Sequence, residues 1–369
     1  MNSPIDRRQF VALTSVGTLL AAPRAAEARK AQRLGSELSF PIKLSGNENP
    51  WGPGPQARAA IAASTNEACR YGMAAHAELA DAIAAHEGVA KDRIVIGSGS
   101  GELLHMLALA YCERGQMVCA WPTFGQIMAF AEKLGCEIRK VPVDAELRHD
   151  LPALAAATTP NTSLLYLCNP NNPTGTVVAA EPLRAFAREM SRSTLVVADE
   201  AYLDLAAEGS TASLVDLVRD DLNVVVLRTF SKIHGLAGLR VGYAIARPEI
   251  AQRLRRWQMT IPSTISLRAA TASLGDTLYL DRTRKALIDD RTRICAACDE
   301  LGLTYARPQG NFVFIKVGMQ SDEFRKKMSA ERIEVGRAFE PFKDWSRVTV
   351  GTTAETTYLI DALRRVIKA

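Results

Sequence analysis

Lys232 is the residue of this chain whose neighbours best suit it to covalent chemistry. It lies in Thr229-Phe-Ser-Lys-Ile-His-Gly-Leu-Ala-Gly-Leu-Arg240, just after the apolar run 224–227, which reads as a buried strand. A primary amine there can form a Schiff base with an aldehyde. Thr229, Ser231 and Arg240 supply two hydroxyls and a guanidinium that can hold a phosphate beside it. The glycines allow tight turns that keep the backbone close. The same stretch also reads as a glycine-rich loop carrying a solvated lysine. The rest of the chain has to decide between the two.

Asp199 closes the apolar run 195–198, in Asp199-Glu-Ala-Tyr202. A buried carboxylate there is costly unless it meets a cation or a donor. A protonated ring nitrogen would be such a partner; capping the next segment is the alternative. Asn172 lies in Asn169-Pro-Asn-Asn-Pro-Thr-Gly175, a tight loop at the carboxyl end of the run 164–167. Phe124 follows the run 117–121 and can stack on a flat ring or fill the core. Gly97-Ser-Gly-Ser-Gly-Glu102 links a short apolar run to a helix, which makes the amides near Ser100 and Gly101 an anion site. It is not a P-loop, because Gly-Lys-Ser/Thr is absent, and it lacks the full GxGxxG of a nicotinamide site. The loop 44–55 carries three prolines and three glycines and presents Asn47, Glu48, Asn49 and Trp51. The five histidines form no metal pattern, and His86-Glu87 lacks the second histidine of HExxH. His234, close to Lys232, is expected to pack in the turn. Cys295 and Cys298 share one face of a helical stretch and read as structural thiols, since no second pair accompanies them.

These side chains need a scaffold, and strand-like and helix-like segments alternate through the first two thirds of the chain. That alternation predicts a parallel sheet covered by helices. Helices are expected over 76–87, 103–112, 125–134, 250–257 and 267–299. Beyond about residue 300 the units shorten: a strand at 311–317, a helix at 321–330 and a strand at 347–351. A last helix is opened by the capping box Thr352-x-x-Glu355. The fold class is therefore α/β, with a large domain over 61–260 and a smaller α+β domain over 261–369. Residues 29–60 form an arm and a loop over the site.

The chain has 369 residues, 47% hydrophobic and 23% charged, a soluble globular composition. Its net charge of +5 is spread without a basic run, which argues against nucleic-acid binding. Residues 1–28 read as a signal peptide. Asp6-Arg-Arg-Gln-Phe-Val11 carries a twin arginine, the apolar run 11–22 is too short to span a bilayer, and Ala26-Glu-Ala28 offers a cleavage site. This resembles a twin-arginine (Tat) export signal. It implies a periplasmic or secreted protein and transient contact with the Tat export machinery. A chance arginine pair on a cytoplasmic protein is the alternative.

Taken in order, the motifs resemble those of fold-type I, class I/II aminotransferases that depend on pyridoxal 5'-phosphate. The histidinol-phosphate aminotransferase group is the most similar. The resemblance covers about residues 40–369. It is carried by Asn47-Glu-Asn-Pro50, Asn171-Asn-Pro-Thr-Gly175, Asp199-Glu-Ala-Tyr202, Ser231-Lys-x-x-Gly-Leu-Ala-Gly-Leu-Arg240 and Arg347-Val-Thr-Val-Gly351. It implies the pyridoxal-phosphate transferase fold and a homodimer that moves an amino group from a small-molecule donor to a 2-oxo acid. By the same resemblance, Lys232 bonds the cofactor and shuttles a proton, and Asp199 holds the ring nitrogen protonated. Asn172 and Tyr202 bond the ring oxygen, and Phe124 stacks on the ring. Amides at Ser100 and Gly101, with Thr229, Ser231 and Arg240, hold the phosphate, and Tyr71 reaches the phosphate of the neighbouring subunit. Arg347 pairs with a substrate carboxylate or phosphate, and Arg337 is a second anion contact. Asn49 and Trp51 complete the substrate side. No metal is expected.

The chain departs from the pattern at two places. Arg-Tyr-Pro is Arg70-Tyr-Gly72 here, and Val-Arg becomes Val335-Gly336-Arg337. An exported enzyme would also not meet a cytoplasmic intermediate such as histidinol phosphate, so another amino substrate stays open. Two other readings remain as well: a different reaction with the same cofactor (lyase, cyclase or decarboxylase), and a binding protein on the same scaffold.

Overall fold

Seven strands form one sheet in the order β2-β8-β7-β6-β5-β3-β4. They are β2 (Ile94–Gly97), β3 (Gln116–Trp121), β4 (Glu137–Pro142), β5 (Thr162–Cys168), β6 (Leu195–Asp199), β7 (Val224–Thr229) and β8 (Gly242–Ala246). Only β8 runs antiparallel to its neighbours, β2 and β7. The other pairs are parallel. The central strands read as unbroken apolar runs because helices cover both faces. On β5, Leu165 and Leu167 join one core while Leu164, Tyr166 and Cys168 join the other. On β7, Val224 and Val226 part from Val225 and Leu227 in the same way.

The face that holds Tyr166 is covered by α3 (Ser100–Tyr111), α4 (Gln126–Lys133) and α8 (Pro248–Arg255). The opposite face is covered by α1 (Pro55–Ala63), α2 (Met73–Glu87), α5 (Leu151–Ala157), α6 (Ala180–Met190), α7 (Val215–Arg219) and α9 (Thr264–Leu274). A further core gathers β1 (Ile42–Leu44), β9 (Phe312–Lys316), β10 (Ile333–Val335), β11 (Trp345–Thr349), α10 (Thr277–Glu300), α11 (Ser321–Ala330) and α12 (Thr353–Lys368). β1 pairs parallel with β10, and β9 antiparallel with β11. The architecture is thus α/β, with a large mostly parallel sheet and a smaller α+β assembly.

This computed structural model describes residues 38–368. The signal peptide and the first part of the arm lie outside the described residues. From Phe40 onward the chain forms one compact unit. Three local expectations change. The helical stretch over 267–299 is two helices, parted at Gly275 and Asp276. The first of them, α9, packs against α1 and α2 on the large sheet's side. The helix expected from 103 starts at Ser100, so Ser100 and Gly101 sit in its first turn. The capping box is present: Thr352 N donates to Glu355 Oε2 at 2.7 Å, and Glu355 N to Thr352 Oγ1 at 3.3 Å. No helix among the described residues is long and apolar enough to cross a membrane.

Candidate active site

The strand register sets out the site before any side chain is considered. Cys168 lies opposite Asp199, Asp199 opposite Leu227, Thr229 opposite Gly242, and Gly242 opposite Gly97. The carboxyl ends of β2, β5, β6 and β7 therefore share one edge of the sheet, where open parallel sheets bind ligands. A cavity of about 350 Å³ opens there. Ser100, Gly101, Phe124, Asn172, Asp199, Tyr202, Thr229, Ser231, Lys232 and Arg240 all line it. Ten of the residues singled out in the sequence thus meet in one place, although 140 positions separate the first from the last.

Lys232 is half-buried in the loop after β7. Its Nζ donates to Asn47 O at 3.1 Å and to Gly46 O at 3.5 Å, and lies 5.3 Å from the Tyr202 ring centre. Its partners are carbonyls, so no carboxylate is bonded to the amine. Asp199 is only 2% exposed. Tyr166 OH donates to its Oδ2 at 2.7 Å and Ala201 N to its Oδ1 at 3.2 Å. Burial pushes this carboxyl up; the Tyr166 bond, the Ala201 amide and the charge of Lys232 pull it back. The Tyr202 oxygen accepts from Asn47 Nδ2 at 3.0 Å and Asn172 Nδ2 at 3.3 Å, which leaves its own proton free to donate.

The opposite end of the cavity is built for an anion. Ser100 and Gly101 present first-turn amides of α3, where the helix dipole adds positive potential. Thr229 Oγ1 donates to Ser231 Oγ at 3.0 Å, and Arg240 Nη1 donates to the same oxygen at 3.3 Å. Two glycines make this packing possible. Gly99 has φ +81°, and a Cβ on it would run into the Arg240 guanidinium. A Cβ on Gly242 would collide with the backbone of Ser100 and Gly99.

Arg347, on β11, is half-buried. Its Nη1 donates to Asn172 Oδ1 at 2.7 Å and its Nη2 to Ser45 O at 2.6 Å, while Nε is buried without a partner. Burial lowers its pKa, and the nearby charge of Arg337 adds to this. Both arginines lie against Phe339: Arg347 Cζ is 5.1 Å from its ring centre and Arg337 Cζ 4.6 Å.

Five expected residues lie outside the cavity lining: Arg347, which touches it only through Asn172, and four others. Tyr71 is 96% exposed. Asn49 is buried and already bonded: Nδ2 donates to Ile233 O at 2.8 Å, and Oδ1 accepts from Trp51 N at 3.0 Å. It braces the lysine loop. Trp51 is half-buried beside it. Arg337 is exposed and reaches the site only through Phe339. Glu48 lines the cavity from the loop expected over the site. Conversely, Gly46, Gln126 and Cys168 line it without having been singled out for it, and Tyr166 stands behind Asp199. A tyrosine inside an aliphatic strand was the available signal for the last. His234 packs in the turn, tilted on Phe230 at 4.8 Å with Nδ1 2.8 Å from Ser273 Oγ, and burial takes its pKa down to about 4. Cys295 and Cys298 are free thiols pushed up by burial to about 11 and about 12, unsuited to redox work at neutral pH. Among the described residues no cluster could hold a metal ion.

These features fit pyridoxal phosphate. There is a buried carboxylate with lone pairs open to a cavity, a half-buried lysine free of acid partners, a face from Phe124, and a cradle whose glycines exclude side chains. A profile of the family "Aminotransferase class I and II" matches residues 41–363. The histidinol-phosphate aminotransferase of Moorella thermoacetica is 39% identical over 333 residues, 88% of this chain and 85% of its own. The aromatic amino acid aminotransferase of Rhodococcus jostii is 37% identical, over 86% of this chain and 88% of its own. The crystal structure of histidinol-phosphate aminotransferase from Sinorhizobium meliloti, in complex with pyridoxal 5'-phosphate, superposes with a TM-score of 0.83 at 30% identity. That match covers 92% of this chain and 94% of the other.

Proposed function

The chain belongs to the class I and II aminotransferases and is a pyridoxal-phosphate-dependent transaminase; from that premise we propose that its amino donor carries an anionic group, with histidinol phosphate as the leading substrate. The observation that carries this is the pair Arg347 and Arg337, both close to the ring of Phe339. Two guanidinium groups together suit a phosphate dianion or a carboxylate. Arg347 is bonded to Asn172, which lines the cofactor cavity with Lys232, so an anion held by Arg347 would sit beside that cavity. A donor with an aromatic side chain and a carboxylate is the second reading. Phe124 supports it, as does the similarity to the aromatic amino acid enzyme.

The residues divide the work as follows. The cofactor, when bound, supplies a carbonyl that carries the amino group and a ring that accepts electrons. Asp199 holds the proton on the ring nitrogen. Lys232 Nζ would take the proton from the substrate carbon and deliver it to the cofactor carbon that receives the amino group, a general base and acid within one cavity. Asn172 and the Tyr202 hydroxyl would fix the ring oxygen. Phe124 would cover the ring, and the α3 amides with Ser231, Thr229 and Arg240 would anchor the phosphate. Arg347 orients the donor by its anion, so that only one bond of the reacting carbon faces Lys232.

Single-turnover absorbance of the purified protein tests the substrate. Histidinol phosphate, glutamate, aromatic and basic amino acids and an uncharged amine are added one at a time. Conversion to the amino form of the cofactor by histidinol phosphate, and reversal by 2-oxoglutarate, is the expected outcome. Equally rapid conversion by the uncharged amine would sink the role given to the arginines.

Two further parts of this reading concern assembly and place. The active form is a homodimer; the large apolar side chains Tyr71, Met73 and Met259, exposed among the described residues, support it. Mixing Lys232→Ala with Tyr71→Ala subunits should restore activity through one intact site, and failure to do so would leave Tyr71 without a role across the interface. The protein is exported by the twin-arginine route; the order of twin arginine, apolar run and Ala26-Glu-Ala28 supports this. Replacing Arg7 and Arg8 by lysine should retain the protein in the cytoplasm, and unchanged export would refute it.

A further inference from the structure

We propose that Tyr166 is a positioning residue of the transaminase, fixing the Asp199 carboxylate as the partner of the cofactor's ring nitrogen; the proposal rests on the cofactor reading above. Tyr166 lies in the middle of β5 and is 0% exposed. Its neighbours along the strand, Leu164, Leu165 and Leu167, are aliphatic and equally buried. A phenylalanine would fill the same space, so the hydroxyl needs a reason, because a buried hydroxyl is costly without a partner. Its partner is Asp199 Oδ2, at 2.7 Å.

The register explains how the two meet. Cys168 is opposite Asp199, and Tyr166 is opposite Val197, two residues back. Side chains two apart on a strand share a face, so positions 166, 168, 197 and 199 all point to the same side of the sheet. The tyrosine ring lies along that face, and its hydroxyl reaches the carboxylate at the diagonal position. The Ala201 amide holds Oδ1 at 3.2 Å. One donor on each oxygen fixes the plane of the carboxylate and leaves the remaining lone pairs directed at the cavity that Asp199 lines.

The titratable groups facing Asp199 are Tyr166 and Cys168 from β5 and Lys232 from the loop after β7. Cys168 donates its thiol to Pro170 O at 3.4 Å and does not compete for the carboxylate. Burial, with the Asp199 charge adding, raises the Tyr166 phenol well above its ordinary range, so it stays protonated and remains a donor. Among the groups drawing Asp199 towards its charged form, the Tyr166 bond is the foremost.

The test uses Tyr166→Phe in the full-length protein, loaded in parallel with pyridoxal phosphate and with its N1-methyl derivative. The methyl derivative carries a fixed positive charge on the ring nitrogen and needs no carboxylate to keep it there. With the natural cofactor, kcat should fall about 10- to 100-fold with KM for the donor nearly unchanged, as expected for a lost hydrogen bond to a charged group. The dissociation constant for pyridoxal phosphate, read by fluorescence of the cofactor-free protein, should rise by a similar factor. With the N1-methyl cofactor the ratio of variant to wild type should return to near one. A loss of the same size with both cofactors would make Tyr166 a packing residue only and overturn the proposal. If Tyr166→Phe proves insoluble, the nearly isosteric 3-fluorotyrosine at 166, a stronger donor, should lower the cofactor dissociation constant; no change would count against the proposal. Wild-type protein that bound no pyridoxal phosphate would refute the cofactor reading instead, so the two failures are distinguishable.

Discussion

His149 provides a quantitative test of the packing around the site. It precedes α5, is 5% exposed, and has no hydrogen-bond partner at either ring nitrogen. Burial lowers its pKa from the ordinary 6.5 to about 4. The unfolded chain therefore binds a proton at a higher pH than the folded one. The stability tied to this neutral imidazole is complete above pH 6.5 and is lost as the pH falls through 6.5 towards the folded value of about 4. At pH 5 the loss is about 2 kcal/mol, at about 1.4 kcal/mol per pH unit below the unfolded pKa. The perturbation is His149→Leu, followed by urea unfolding of the cofactor-free protein at pH 7.5 and pH 5 and at fixed protein concentration. Any change in packing adds the same offset at both pH values, so the slope isolates ionisation. The variant should gain about 2 kcal/mol on wild type between pH 7.5 and pH 5. His234, also lowered to about 4, is present in both proteins and cancels. An unchanged difference across that range would show that His149 ionises freely in the folded state, which would refute the reasoning.

Three other outcomes follow from the geometry. Lys232→Ala should fold and still bind pyridoxal phosphate, but lose roughly 10³-fold or more in transamination rate, since it removes the proton-transferring amine; steady-state assay decides, and normal turnover would overturn the site. Arg347→Lys keeps the charge but loses the fork that spans Asn172 and Ser45, so KM for an anionic donor should rise about 10- to 100-fold while an uncharged amine is unaffected. Gly242→Ala places a Cβ against the backbone of Ser100 and Gly99, so stability should fall by about 1–3 kcal/mol. Cofactor affinity should fall with it, and fluorescence titration with a thermal melt would show whether the two losses occur together.

The large sheet was legible because both its faces are covered. Buried parallel strands read as unbroken apolar runs, and Asp199, Asn172 and Lys232 each follow such a run. Elements whose existence depends on distant partners were not legible. β1 and β10 have three residues each and pair Ile42 with Ile333 across most of the chain. The break between α9 and α10 falls at Asp276, whose Oδ2 accepts from Gln56 N at 3.1 Å, a tertiary contact that no local pattern announces. Side-chain direction was the other limit. Asn49 and Asn172 are both asparagines in proline-rich loops, yet one is bonded to the lysine loop and the other faces the cavity. Residue type and spacing foretold a site, but not which of its polar groups would already be satisfied.

The stretch from Ser45 to Glu48 shows how the parts depend on one another. Its carbonyls receive most of the polar side chains that define the substrate side. Ser45 O accepts from Arg347, Asn47 O from both Lys232 and Asn311, and Glu48 O from Asn311. Asn47 also accepts Thr349 Oγ1 on its Oδ1 at 3.0 Å and donates its backbone N–H to the same hydroxyl at 3.0 Å. Its φ of +52° is one that asparagine tolerates better than most residues. Lys232 and Arg347 are therefore located by carbonyls two residues apart. A distortion of this stretch displaces both at once. Substitutions at Asn47 should accordingly lower kcat and raise KM together, whereas changes at Arg347 or Lys232 separate the two parameters.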